Sequence, residues 1–338
     1  MKFKTIWTSA LAAALLLPSG MSYSQDIKER TLKFATQNPK GHPLVMGMEK
    51  FADIVKAKSG GKIKVNLFPG GVLGGDAPNI SALQGGTIEM VVLNAGILQA
   101  QVKEFGVFDF PFMFANSQEA DAVVDGPWGQ NMLAKLDEKG IHGLAYWELG
   151  FREITNSKRP INKVEDIAGL KLRVIPNPIN VDWVTALGAN PVPMPFTEVY
   201  TAMEQKAIDG HENPVTVINA NKLYEVQKYL AITNHQYNPQ AAIISKKFWD
   251  KLTNDEKKLI TDAAVEAGKY ERGVTREQAG VALENLKKNG MTVTELSAAE
   301  VAKFRDKMKP VIEKNTASVG AESVASLQAE LAKVRGGK

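Results

Sequence analysis

Hydrophobic and polar positions follow two different periods along this chain. Short β-rich runs at Thr31 to Thr36, Lys62 to Phe68, Ile88 to Leu93, His142 to Trp147 and Leu170 to Ile175 are separated by stretches with a helical period. In Pro43 to Lys58 the apolar residues Leu44, Met48, Phe51, Ile54 and Val55 recur at helical spacing, and Gly60-Gly61 closes the segment. Strand, helix and strand in this order form a βαβ unit, and its repetition predicts an α/β architecture with crossover connections. A longer helical period runs from Thr253, paired with Glu256 as a capping box, to Asn289, where Gly290 ends it. At ~1.5 Å per residue, an unbroken helix of that extent is about 55 Å long, enough to span two domains. Gly268, Gly273 and Gly280 are the points at which it would divide instead. Residues 298–338 read as charged amphipathic helices packed on the outside.

A length of 338 residues predicts two domains. The pattern restarts at Gly150-Phe151-Arg152 and turns back near Thr233 to Pro239. Domain I is therefore expected to hold 25–150 and 238–280, and domain II 151–237 and 281–338. Ahead of both, Lys2 and Lys4 precede the apolar run Ile6 to Leu17, and small residues follow at Ser22 and Ser24. Residues 1–24 thus read as a secretory signal peptide, its apolar core of about a dozen residues falling short of the ~18–20 that cross a bilayer. Export to the periplasm is the expected destination.

Composition narrows the chemistry. Hydrophobic residues at 44% and charged residues at 23% describe an ordinary globular chain. Lys+Arg 41 against Asp+Glu 37 leaves +4, with two of the positive charges in the leader, too weak an imbalance for a nucleic-acid partner. The absence of cysteine excludes disulfides, thiolate nucleophiles and thiolate metal sites. The four histidines, His42, His142, His211 and His235, are scattered with no metal-site spacing, and Gly70, Gly71, Gly74 and Gly75 lack the Lys-Ser/Thr of a phosphate loop and read as a turn. No cofactor or metal is expected.

Three blocks carry a resemblance: Gly150-Phe151-Arg152-Glu153-Ile154-Thr155-Asn156; Gly169-Leu170-Lys171-Leu172-Arg173-Val174; and Pro193-Met194-Pro195-Phe196-Thr197-Glu198-Val199-Tyr200 continuing through Asp209-Gly210-His211-Glu212-Asn213-Pro214 to Tyr229. With Phe68-Pro69, Leu73-Gly74 and Thr233-Asn234-His235, the chain resembles the periplasmic solute-binding proteins of tripartite ATP-independent (TRAP) transporters. The resemblance implies two α/β domains joined by hinge strands and a long helix. It also implies a monomer that closes on an organic acid and delivers it to membrane permease subunits.

Arg173 matches the family arginine that pairs with the ligand carboxylate, and a guanidinium presents the planar fork such a pairing needs. Arg152 matches a second ligand-facing arginine, Asn213 an asparagine on the same carboxylate, and Phe196 an aromatic against the ligand body. Gln37 and Asn94 follow strands whose carboxyl ends contribute polar groups in related proteins. Asp76 and His42 are further candidates, and Trp147 serves either the cleft or the domain core. Sialic-acid binders carry an acidic residue where Asn94 stands and an arginine where Ile97 stands, which speaks against that ligand. The blocks look most like members that take sugar acids such as glucuronate or galacturonate, with a C4-dicarboxylate, an aldonate or a keto acid as alternatives. An exported sugar-acid enzyme using Glu148, Glu153 or Glu212 is the rival from another class.

Overall fold

The computed structural model describes residues 26–336, so the expected signal peptide lies outside the described residues. Nine strands among them form one mixed sheet: β1 (Arg30–Ala35), β2 (Ile63–Phe68), β3 (Met90–Asn94), β4 (Ile141–Asn156), β5 (Lys171–Val174), β6 (Asn190–Pro193), β7 (Gly210–Asn213), β8 (Tyr229–Ser245) and β9 (Thr292–Glu295). Their order is β2-β1-β3-β8-β4-β7-β5-β6, with β9 beside β8.

Two strands organise the molecule. β4 has 16 residues and β8 has 17, and they pair antiparallel along their whole length. At ~3.3 Å per residue each extends about 50 Å, long enough to run through both lobes. Ile141 to Trp147 and the facing end of β8 join β1, β2 and β3 in the first lobe, while Glu153 to Asn156 pair with β7 in the second. Register breaks at Gly143/Ala145, Glu148/Gly150 and Arg152/Ile154 interrupt the two-residue alternation. They explain why the sequence pattern of β4 is readable only as far as Trp147.

The helices cover both faces. α1 (Pro43–Lys58), α2 (Asp76–Gly85), α3 (Ser117–Val124) and α4 (Pro127–Ala134) lie in the first lobe; α5 (Pro178–Ala186), α6 (Val199–Glu204) and α7 (Val215–Ala220) lie in the second. The chain then returns through α8 (Lys246–Trp249) to α9 (Asn254–Lys288) and ends in α10 (Ala298–Val319) and α11 (Ala321–Gly336). One face of the first lobe buries Phe34, Phe51, Met90 and Trp147 under α1 and α9; the other buries Phe105, Phe108, Tyr146 and Leu327. The second lobe packs Leu172, Trp183 and Phe304 in one cluster and Val199, Ile218 and Leu286 in another.

α9 is one helix of 35 residues, opened by the Thr253–Glu256 capping box. It touches α1 in the first lobe and α7 in the second. Gly268 does not break it; a Cβ there would lie 2.6 Å from Trp147 Cδ1, so the glycine admits the indole ring against the helix. α10 packs on α5, but α11 packs on α3 and α4, and Val324, Leu327 and Leu331 enter the first lobe's core. The expected assignment of all of 281–338 to the second domain therefore does not match the packing of 321–336. Helical periodicity identifies an apolar face without naming the surface that covers it.

Candidate functional site

A cavity of about 600 Å³ lies between the lobes. The first lobe contributes Gln37, Asp76 and Asn94, the second Arg173, Phe196 and Asn213, and the long strands Arg152, Asn238 and Gln240. Register explains part of this convergence: Asn94, the last residue of β3, lies opposite Gln240 of β8. Asn94 also caps the following turn by accepting from Gly96 N at 2.8 Å.

Arg173, on β5, is 3% exposed. Its Nε donates to Met194 O at 2.9 Å, and its guanidinium sits 5.8 Å from the centroid of the Phe196 ring. Among the described residues neither terminal nitrogen donates to a protein group, so the fork is left to the cavity. Burial lowers its pKa to about 10, which still leaves it charged at neutral pH.

Arg152 behaves differently. Its Nε and Nη2 both donate to the Glu212 carboxylate, Nη2 at 2.9 Å to Oε1, and Nη2 also reaches Glu212 O at 2.7 Å. Only Nη1 remains, 3.4 Å from Asn238 Oδ1. Burial pushes the Glu212 carboxyl up, but Arg152 and His235 overcome this and hold it at about 2. The pair is therefore internally neutral, and Arg152 has far less to offer an anion than Arg173. Asn213 shares a hydrogen bond with His211 Nδ1 at 3.1 Å, beside a ring that burial keeps neutral. Gln37 Nε2 donates to Asp76 Oδ2 at 2.8 Å.

Two expected site residues lie elsewhere. His42 is fully buried and caps α1, its Nδ1 accepting from Leu44 N at 3.1 Å. Trp147 is also fully buried; its Nε1 donates to Ala264 O at 3.0 Å, and its ring meets Phe34 edge-on at 6.0 Å. It packs on the α1–α9 face and does not line the cavity. Sequence reasoning missed Asn238 and Gln240, although Gln236, Asn238 and Gln240 form a period-two run of amides that was there to be read. The carboxylates of the enzymatic alternative are held apart from the cavity: Glu148 by Arg276, Glu153 by the Thr233 and Asn234 N–H groups, Glu212 by Arg152.

The lobes approach each other at Gly71, which has φ +70° and where a Cβ would come 3.0 Å from Thr197 Cγ2. Gly71→Ala is expected to lower thermal stability through the left-handed backbone and to weaken ligand affinity about tenfold, the effect of ~1.4 kcal/mol, by propping the cleft. Adding Thr197→Ser, which removes the opposing methyl, should restore affinity in calorimetry without restoring the melting temperature. Recovery of both, or of neither, counts against a steric contact between the lobes.

The model of the DctP family, described as bacterial extracellular solute-binding protein, family 7, matches residues 34–318. A TRAP periplasmic solute-binding protein from Ochrobactrum anthropi, solved with a C-terminus bound in its ligand pocket, is 56% identical with TM-score 0.83, over 92% of this chain and 97% of that one. The sugar acid binding protein DctPAm from Advenella mimigardefordensis, solved with galactonate, is 42% identical with TM-score 0.90, over 91% and 99%. The 2,3-diketo-L-gulonate-binding periplasmic protein of Escherichia coli is 33% identical over 87% of this chain and 88% of its own. With the sheet order, the paired long strands and the cleft between the lobes, these matches establish that the chain belongs to the DctP family of TRAP-transporter solute-binding proteins.

Proposed function

We propose that this protein is the extracytoplasmic receptor that captures a sugar monoacid, a hexuronate or the related aldonate, and hands the closed complex to a membrane permease. The observation that carries this is the arginine fork of Arg173, a buried side chain without an ion pair among the described residues, on the wall of a cavity whose other polar groups are mostly side-chain amides. A fork of this kind binds one carboxylate in bidentate fashion, and amides donate and accept, as a polyhydroxylated carbon chain requires. Charge supports one carboxylate rather than two. Arg152 and Arg173 are the basic residues lining the cavity, and Glu212 already neutralises Arg152. A C4-dicarboxylate would leave its second charge without a cationic partner among the cavity's side chains.

In this scheme Asn213 and the remaining Nη1 of Arg152 assist the carboxylate, Phe196 packs on the carbon chain, and Gln37, Asn94, Asn238 and Gln240 take hydroxyls. Contacts made by both lobes only when shut draw the population to the closed form. The relatives that bind galactonate and diketogulonate fit the same ligand class. No helix among the described residues is long and apolar enough to cross a membrane.

Thermal-shift and calorimetric screening of the ligand-free receptor against hexuronates, aldonates and C4-dicarboxylates tests this. Sugar monoacids should raise the melting temperature by mass action, and succinate or malate should not. Binding confined to dicarboxylates overturns the proposal.

A further inference from the structure

Among the described residues two carboxylates line the cavity, Asp76 and Glu198, and of these Asp76 is buried. Asp76 opens α2 in the first lobe, is 7% exposed and lines the cavity. Its Oδ2 accepts from Gln37 Nε2 at 2.8 Å, while Oδ1 is buried with no partner among the described residues. A buried, unpartnered carboxylate oxygen costs free energy unless something donates to it. The charged groups facing Asp76 are Arg173 on β5, Glu198 beyond Phe196, and the neutral Arg152–Glu212 pair.

We propose that Asp76 is a specificity-determining residue whose Oδ1 accepts a hydrogen bond from a ligand hydroxyl and turns away a ligand with a second carboxylate at that position. This rests on the reading of the cleft as a sugar-monoacid site. A hydroxyl can donate to Oδ1; a carboxylate cannot, and it brings a like charge against Asp76, whose ionised form already offsets part of the Arg173 charge. Burial raises the Asp76 carboxyl to about 7, with Arg173 pulling the other way, so its protonation state changes in the accessible pH range. Above about 7 the ionised form favours the hydroxyl and opposes the diacid. Below it the protonated form becomes a donor and tolerates a carboxylate. Diacid affinity should therefore fall with rising pH more steeply than monoacid affinity.

The test compares the tightest-binding monoacid of the screen with the aldarate of the same carbon skeleton, for example galactonate with galactarate, by calorimetry at pH 5.5 and 8.5. Wild type is expected to prefer the monoacid about 100-fold at pH 8.5, a preference that narrows about tenfold at pH 5.5, where protonation of one carboxyl changes ligand selection. Asp76→Asn should bind the two ligands within about tenfold of one another at both pH values, as expected when the charged discriminator is gone. Asp76→Ser, which also removes the charge, repeats the measurement if the asparagine variant is unfolded by circular dichroism. A folded variant that keeps the wild-type preference and its pH dependence overturns the role of Asp76 and leaves the receptor reading intact. Failure of wild type to bind any acid overturns both.

Discussion

Arg173→Ala is expected to abolish measurable capture of the acid while leaving the receptor folded. In the complex this side chain is one partner of a desolvated charge pair, and removing such a partner costs ~2–5 kcal/mol, roughly thirtyfold to several thousandfold in Kd. The effect on the ligand-free protein should have the opposite character. Among the described residues Arg173 forms no ion pair, and its guanidinium donates only to Met194 O. Removing a buried cation that has no direct ion-pair partner relieves a desolvation penalty. The melting temperature without ligand should therefore hold or rise, while the ligand-induced increase disappears. Arg173→Lys, which keeps the charge but loses the fork, should fall between wild type and alanine. A folded alanine variant with unchanged affinity in calorimetry would remove Arg173 from the site.

The second large effect concerns stability. Glu212→Leu leaves Arg152 buried at 1% exposure without its counter-charge, and breaking a buried pair in this way costs ~3–5 kcal/mol. Arg152→Met in the same chain should recover most of that loss, because a well-packed apolar pair replaces a desolvated ionic one. The pH dependence follows from the depressed pKa. The Glu212 carboxyl titrates at about 2 in the folded chain against 4.5 ordinarily, so above about 4.5 its stabilisation is fully present. It is lost as the pH falls from there toward 2. Thermal unfolding from pH 6 to pH 2.5 should show wild type losing stability through this window more steeply than the double variant. Equal slopes, or a single variant as stable as wild type, would mean that the Arg152–Glu212 pair does not stabilise the fold.

Much of the fold was legible in the residues. Leu44, Met48, Phe51, Ile54 and Val55 mark α1 within the bounds observed, and Thr253 with Glu256 marks the start of α9, because caps and helical faces are local properties. Asn94 was legible as a candidate because it follows a strand whose carboxyl end supplies polar groups in related proteins, and Asp76 because it follows Gly74-Gly75. The four-residue strands β6, β7 and β9 were not legible. β6 carries Pro191 and Pro193 and survives only as an edge strand, and β7 reads as a polar Gly-His-Glu-Asn although all four residues are buried. Such strands form because neighbours supply their ladder and their counter-charges.

By itself the sequence determined the α/β class, the family, the start of the long helix and the residue types available for an anion, while its continuity past Gly268, Gly273 and Gly280 came from the structure. Periodicity, capping and motif spacing all act within a few residues along the chain. Only the tertiary structure decided how two arginines of the same chemical type divide their roles. Arg152 meets Glu212 across β4 and β7, residues 60 apart in sequence, and Arg173 forms no ion pair with a carboxylate among the described residues. It likewise withdrew His42 and Trp147 into caps and core, and brought Asn238 and Gln240 to the cavity. The reason is physical: a side chain's availability depends on which partners reach it first, and those partners come from distant strands aligned by sheet register rather than from neighbours along the chain.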